Sequence, residues 1–206
     1  MGLAEDIATG AIKGAVRRWL WPVPTYAGRL PTISSGFRTS DRADHQGSDI
    51  MLRRVPGDPP YNPKDEPQHG SKNFWTPSNW PARAVADGVI TAAYLGARGW
   101  QVRLTLADTS IGATYVHYSH FSQAFVKVGQ TVKRGETLGI VGDDPSVRDP
   151  MHLHFEVHNG PVGPASALDP APFLAAADYG ALAGPGGSLL TLGGVALLAV
   201  VGKALA

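Results

Sequence analysis

Cysteine is absent from all 206 residues. That excludes disulfide staples and thiolate zinc sites, so any zinc must be held by histidine and carboxylate. Net charge is almost absent too: 18 Lys and Arg against 17 Asp and Glu leave +1. Nothing in that balance argues for nucleic acid as a partner. The opening residues do not read as a secretory signal, because Glu5 and Asp6 come early and no continuous apolar run of roughly 7–15 residues follows. What the chain has in quantity is turn chemistry. Its 25 Gly and 17 Pro point to many short strands joined by tight turns, an all-β bias. The length suits one domain of roughly 100–150 residues with appendages.

Met151 to His158 is the most informative stretch. Alternate side chains of a strand face opposite ways, so Leu153, Phe155 and Val157 form an apolar face. His152, His154, Glu156 and His158 then share the other face. Two imidazoles one strand repeat apart suit a metal ligand beside an acid/base group; they equally suit a polar, half-exposed sheet face. Upstream, His45 and Asp49 are four apart, with Gly47 between them permitting a tight turn before the apolar run Ile50-Met51-Leu52. Such a turn brings an imidazole and a carboxylate to one point, a pairing that suits zinc.

Around these pieces the chain divides. Leu3, Ile7, Ala11, Ile12, Ala15, Val16, Trp19 and Leu20 recur at helical spacing with Lys13, Arg17 and Arg18 between them. The expectation is an amphipathic helix over residues 1–24, closed by Pro22 and Pro24, lying on a membrane surface or packed on protein. Residues 54–81 read as a long irregular insertion, in which Phe74, Trp75 and Trp80 either wall a groove or anchor the loop. Short strands follow from residue 82. A Gly/Pro-containing linker is expected over 177–188. Residues 189–206 are apolar apart from Thr191 and Lys203. Eighteen residues meet the lower edge of the roughly 17–25 that cross a bilayer as a helix, and a membrane span is the preferred reading over a helix buried on a partner.

Ser35-Gly36-Phe37, His45-x-Gly47-x-Asp49-Ile50 and Val85-Ala86-Asp87-Gly88-Val89 come first in an ordered series of motifs. Tyr118-Ser119-His120-Phe121-Ser122, Val128-Gly129-Gln130-Thr131-Val132-Lys133-Arg134-Gly135-Glu136, Leu138-Gly139 and His152-Leu153-His154-Phe155-Glu156-Val157 follow. Over about residues 30–174 this set resembles the M23 family of zinc metallopeptidases, the LytM/lysostaphin-type peptidoglycan endopeptidases. The resemblance implies one Zn2+ per chain on His45, Asp49 and His154, with His120 and His152 as the catalytic histidines. Counting back nine residues from Gly129, as the family motif requires, selects His120 over His117, which is then expected to point away or sit at the rim. Glu156, on the face of His154, is expected to support a ligand rather than to be one.

The fold expected is therefore mainly β: a small antiparallel sheet domain over 25–176, with the amphipathic helix before it and the apolar helix after it. The function expected is zinc-dependent hydrolysis of peptide cross-links in peptidoglycan. Its rival is a wall-binding or structural protein that keeps the domain without cutting. The apolar tail adds the expectation of a lipid membrane as a partner, in a cell envelope or the internal membrane of a virus particle, with structural partners in such a complex.

Overall fold

The computed structural model describes residues 19–60, 72–142 and 151–180. The strands among them are β1 (Pro31–Ser35), β2 (Ser48–Arg53), β3 (Phe74–Trp75), β4 (Pro81–Arg83), β5 (Gly88–Gly96) and β6 (Gly99–Leu106). They continue with β7 (Tyr115–Ala124), β8 (Thr131–Val132), β9 (Thr137–Val141), β10 (Leu153–His158) and β11 (Ala167–Leu168). One short helix, α1 (Ala171–Ala176), follows. The strands pair in one antiparallel sheet in the order β1-β2-β10-β7-β6-β5-β8, with β3 on β2, β11 on β10, and β9 bridging β4 and β7. This is the mainly β, antiparallel architecture that the glycine and proline content suggested.

Period-two alternation places the core. Leu153, Phe155 and Val157 of β10 are fully buried, as are Val116 and Tyr118 of β7 and Val102 and Leu104 of β6. Fully burying side chains of this size contributes roughly 1.5–3 kcal/mol each, so the strand pairing is driven from this face. The opposite face is left to polar groups. Between β5 and β6 the chain reverses through Ala97 and Arg98 alone, with Gly96 paired to Gly99. Gly99 takes φ +74, a conformation that strains a side-chain-bearing residue but costs glycine very little.

The flanks differ from expectation where they are described. Residues 1–18 of the expected helix lie outside the described residues. Residues 19–24 are not helical. Trp19 stacks on Phe173 at 5.5 Å and Trp21 on Tyr179 at 5.1 Å, and Leu20 bridges to Asp178. The Arg83 guanidinium donates to the carbonyls of Trp21 (2.9 Å) and Tyr179 (2.7 Å). Residues 19–24 and 177–180 thus belong to the body rather than to a helix and a linker. Aromatic stacking and backbone hydrogen bonds between segments far apart in sequence are the reason.

The insertion returns to the sheet: Phe74 and Trp75 pair with Arg53 and Leu52. Trp75 and Trp80 are buried, and the Trp80 indole donates to the Pro24 carbonyl at 3.0 Å. Those two tryptophans anchor the loop. Residues 61–71 of the insertion, most of the linker and the apolar segment 189–206 lie outside the described residues. Among the described residues, no helix is long and apolar enough to cross a membrane.

Candidate metal centre and active site

Pairing of β2 with β10 sets Asp49 opposite His154, and the turn at Gly47 folds His45 back over them. The ring and carboxylate atoms form a near-equilateral triangle. His45 Nε2 is 3.0 Å from Asp49 Oδ1, His154 Nδ1 is 3.0 Å from the same oxygen, and the two nitrogens are 3.0 Å apart. Bonds of 2.0–2.1 Å to a tetrahedral zinc would separate such donors by about 3.3 Å. A side chain at Gly47 would meet the Phe155 carbonyl at 2.5 Å and the His154 ring at 2.9 Å; only glycine lets the turn pass this close.

The outer ring nitrogens decide what the inner ones can do. His45 Nδ1–H donates to the Gly36 carbonyl at 2.6 Å, and His154 Nε2–H donates to Glu156 Oε1 at 2.9 Å. In the neutral rings both inward nitrogens are therefore lone pairs, aimed at a carboxylate oxygen and at each other. Three acceptors at that spacing require a cation among them, either a proton or a metal ion. Titration behaviour says the same. Burial disfavours a charged His154, yet its hydrogen bonds to Asp49 and Glu156 raise it to about 9. Burial would raise Asp49, but hydrogen bonds from His152, His154 and His45 hold it far below the usual carboxylate range. His45, Asp49 and His154 form a group that could hold a metal, and their chemistry fits zinc.

The expected catalytic pair lies alongside. The His120 and His152 rings are 4.6 Å apart, and His120 is 5.8 Å from His154. His152 Nε2 also comes within 3.4 Å of Asp49 Oδ1. His120 Nδ1–H donates to the Arg98 carbonyl at 3.2 Å, which makes Nε2 the basic nitrogen. Alternation along β7 would have turned His120 into the core. Instead its φ is +65, and the register between β6 and β7 slips between Trp100 and Val102. Ser119 and His120 then both avoid the core while Phe121 enters it. A non-glycine residue held there costs on the order of 1–3 kcal/mol, strain of the kind that collects at functional sites.

His117 is not at the rim. It is buried on the same sheet face, opposite Glu156, with Nε2–H donating to Gln101 Oε1 at 3.1 Å. Burial is the main cause pushing its pKa from 6.5 down to about 4. The unfolded chain therefore takes up a proton that the folded chain refuses. Stability from this group is present above pH 6.5 and is lost as pH falls toward 4, on the order of 3 kcal/mol. Urea unfolding of the chelator-treated chain should show that loss, and His117→Gln should flatten it without touching the acid/base pair.

Sequence reasoning missed Arg42. Its guanidinium donates to Asp49 Oδ2 at 2.6 Å and to Ser35 Oγ at 3.1 Å. One carboxylate oxygen is thereby occupied and the other left to the centre. No periodicity marks this residue, and only the folded turn shows it. Glu156 is found in the supporting place expected of it. Burial raises it, but hydrogen bonds from His154 and His158 keep it well below the usual carboxylate range.

Comparison with known proteins bears on this geometry. A model of Peptidase family M23 matches residues 67–170, a span holding His120, His152 and His154 but not His45 or Asp49. Pairing of β2 with β10 supplies Asp49, and the turn before β2 supplies His45. The chain is 37% identical over 118 residues to the DD-carboxypeptidase/endopeptidase Mpg of Neisseria meningitidis, covering 56% of this chain and 26% of that protein. It is 34% identical over 112 residues to the glycyl-glycine endopeptidase ALE-1 of Staphylococcus capitis, covering 54% and 30%. The chain thus spans between a quarter and a third of the length of these relatives. Among solved structures, the antimicrobial peptidase lysostaphin of Staphylococcus simulans superposes with TM-score 0.55 at 23% identity, covering 86% of this chain and 61% of that one. A chain of the SpoIIQ–SpoIIIAH pore forming complex superposes with TM-score 0.53 at 18% identity, covering 77% and 92%. A fold shared by a peptidase and a pore component does not settle chemistry; that must come from the side chains.

Proposed function

The chain belongs to peptidase family M23, and from that premise we propose that it is a zinc-dependent endopeptidase cutting the peptide cross-links of bacterial peptidoglycan. One observation carries the reading: the inward nitrogens of His45 and His154 meet Asp49 Oδ1 at 3.0 Å, beside the His120–His152 pair. A protein that only bound the wall would need neither. Bound there, zinc supplies Lewis acidity toward a peptide carbonyl and toward water. His120, its Nδ1–H committed to the Arg98 carbonyl, offers Nε2 to take the proton of the attacking water. His152 stands beside it to donate a hydrogen bond to the developing oxyanion and to pass a proton to the leaving amine as the C–N bond breaks. Arg42 fixes the Asp49 carboxylate throughout.

The names of the relatives, a DD-carboxypeptidase/endopeptidase and a glycyl-glycine endopeptidase, support wall peptides as the substrate class. Purified sacculi of Gram-negative and staphylococcal type, incubated with the full chain, should release new amine and carboxyl ends. Mass spectrometry of those ends identifies the bond. Intact sacculi of both types would favour the non-cutting rival.

The placement we propose is a membrane surface, in a cell envelope or the internal membrane of a virus particle, with structural partners of that assembly nearby. It rests on the apolar run Leu189 to Ala206 and on Lys13, Arg17 and Arg18 near the start. The full chain should float with anionic liposomes and a chain ending at Ala183 should float poorly. Salt should weaken only the part owed to the first twenty residues, because it screens charge and not apolar burial. A full chain that stays monomeric in buffer without detergent contradicts the placement and leaves the peptidase reading standing.

A further inference from the structure

His158 is an expensive residue to keep. It is 2% exposed, on the same face of β10 as His154, and too far along the strand to touch a metal held by the three ligands. A buried imidazole must have both nitrogens satisfied. Its Nε2–H donates to Glu156 Oε2 at 2.7 Å, and Nδ1 pairs with Ser166 Oγ at 2.9 Å. The ring lies flat on Tyr115, with centroids 4.4 Å apart and planes 9° from parallel. Ser166 Oγ is itself held 2.6 Å from the Pro161 carbonyl and 3.0 Å from that of Gly163. Pairing of His158 with Ala167 across β10 and β11 brings that turn alongside.

We infer that Ser166, His158 and Glu156 form a positioning relay that fixes the orientation of the ligand His154 and so sets the affinity of the centre for zinc. The inference rests on the metal-centre reading above. Its logic is the division of one carboxylate. Oε1 of Glu156 accepts from His154 and Oε2 accepts from His158. A carboxylate tied at one oxygen only can swing about that bond; tied at both, it presents Oε1 in one direction. His154 is then restricted to the tautomer with its proton on Nε2 and its lone pair on Nδ1, facing Asp49 and His45. Without His158, the partly buried Glu156 loses the ring that ties Oε2, and His154 loses its fixed partner. Outer partners of metal-bound histidines typically change metal affinity by about 10–100-fold. A packing role alone would predict a loss of stability with unchanged affinity.

The test uses the full chain and zinc alone, with affinity read by competition against a chromogenic chelator. His158→Phe keeps the volume and the stacking on Tyr115 but has no N–H to offer. It should stay folded by circular dichroism, still take up one zinc at saturation, and bind it about 10–100-fold more weakly. His158→Gln, which restores a side-chain N–H donor, should recover part of the loss. With cobalt in place of zinc, the visible bands should shift in His158→Phe and move back toward wild type in His158→Gln. His117→Gln, at a residue also buried on the same face but tied to Gln101, should leave affinity and spectrum unchanged. Wild-type affinity and an unshifted cobalt spectrum in His158→Phe overturn the relay. So does an equal weakening by His117→Gln, which would mark general destabilisation. A wild-type chain that binds no zinc is a different outcome, and it overturns the metal-centre reading itself.

Discussion

Replacing His154 with alanine is expected to leave the purified chain with almost no zinc and no measurable peptidase activity. The reason lies in the triangle of donors. His154 Nδ1 stands 3.0 Å from both Asp49 Oδ1 and His45 Nε2, so its removal leaves two ligands, one short of what a catalytic zinc site uses. Nothing nearby takes over cleanly. His152 Nε2 reaches Asp49 Oδ1 at 3.4 Å, but drawing it inward would take it from the catalytic pair. Glu156 would also lose one of its two ring partners while remaining mostly buried. Metal analysis after dialysis reads the result directly. A stoichiometric zinc content in His154→Ala would show that the metal sits elsewhere.

The second large effect separates holding the metal from using it. His120→Asn and His152→Ala should each retain about one zinc and lose at least 10²–10⁴-fold in turnover, the usual contribution of a positioned acid or base. Asparagine suits position 120 because it tolerates the positive φ of that residue while deleting the imidazole. The backbone strain is then left in place and only the chemistry changes. His152→Ala also removes a hydrogen-bond partner of Asp49, so a modest loss of zinc affinity beside the loss of turnover is consistent with its position. If His117→Gln were inactive and His120→Asn active, the acid/base role would belong three residues earlier in β7 than the geometry puts it.

How much of this could be read before folding depends on the range of the interaction that decides each feature. Alternation in Leu153 to His158 is local, and it correctly separated the core face from the polar face, with His154, Glu156 and His158 in line. The turn at Gly47 is local as well. His120 is different, because strict alternation from Tyr118 would bury it. Only the slipped register with β6 and the left-handed backbone at that residue bring it to the centre. Spacing within the family motif pointed there; the physics of the isolated strand did not. Trp19 and Trp21 misled for the opposite reason. Trp19 continues a helical pattern in sequence and Trp21 falls within the helix expected over 1–24, but their partners Phe173 and Tyr179 lie at the far end of the domain in sequence, and no local pattern announces such a contact. Arg42 is the same case at shorter range, since its value lies in one oxygen of Asp49.

The measurement that bears most directly on the central claim is a zinc titration of the metal-free full chain during digestion of purified sacculi, with new amine ends counted at each addition. The account predicts no release without metal, a rise that breaks at about one zinc per chain, and loss of release again when chelator is added. A chain that takes up its zinc at that ratio and still releases no ends would contradict it, and would leave a metal-binding wall protein in place of a peptidase.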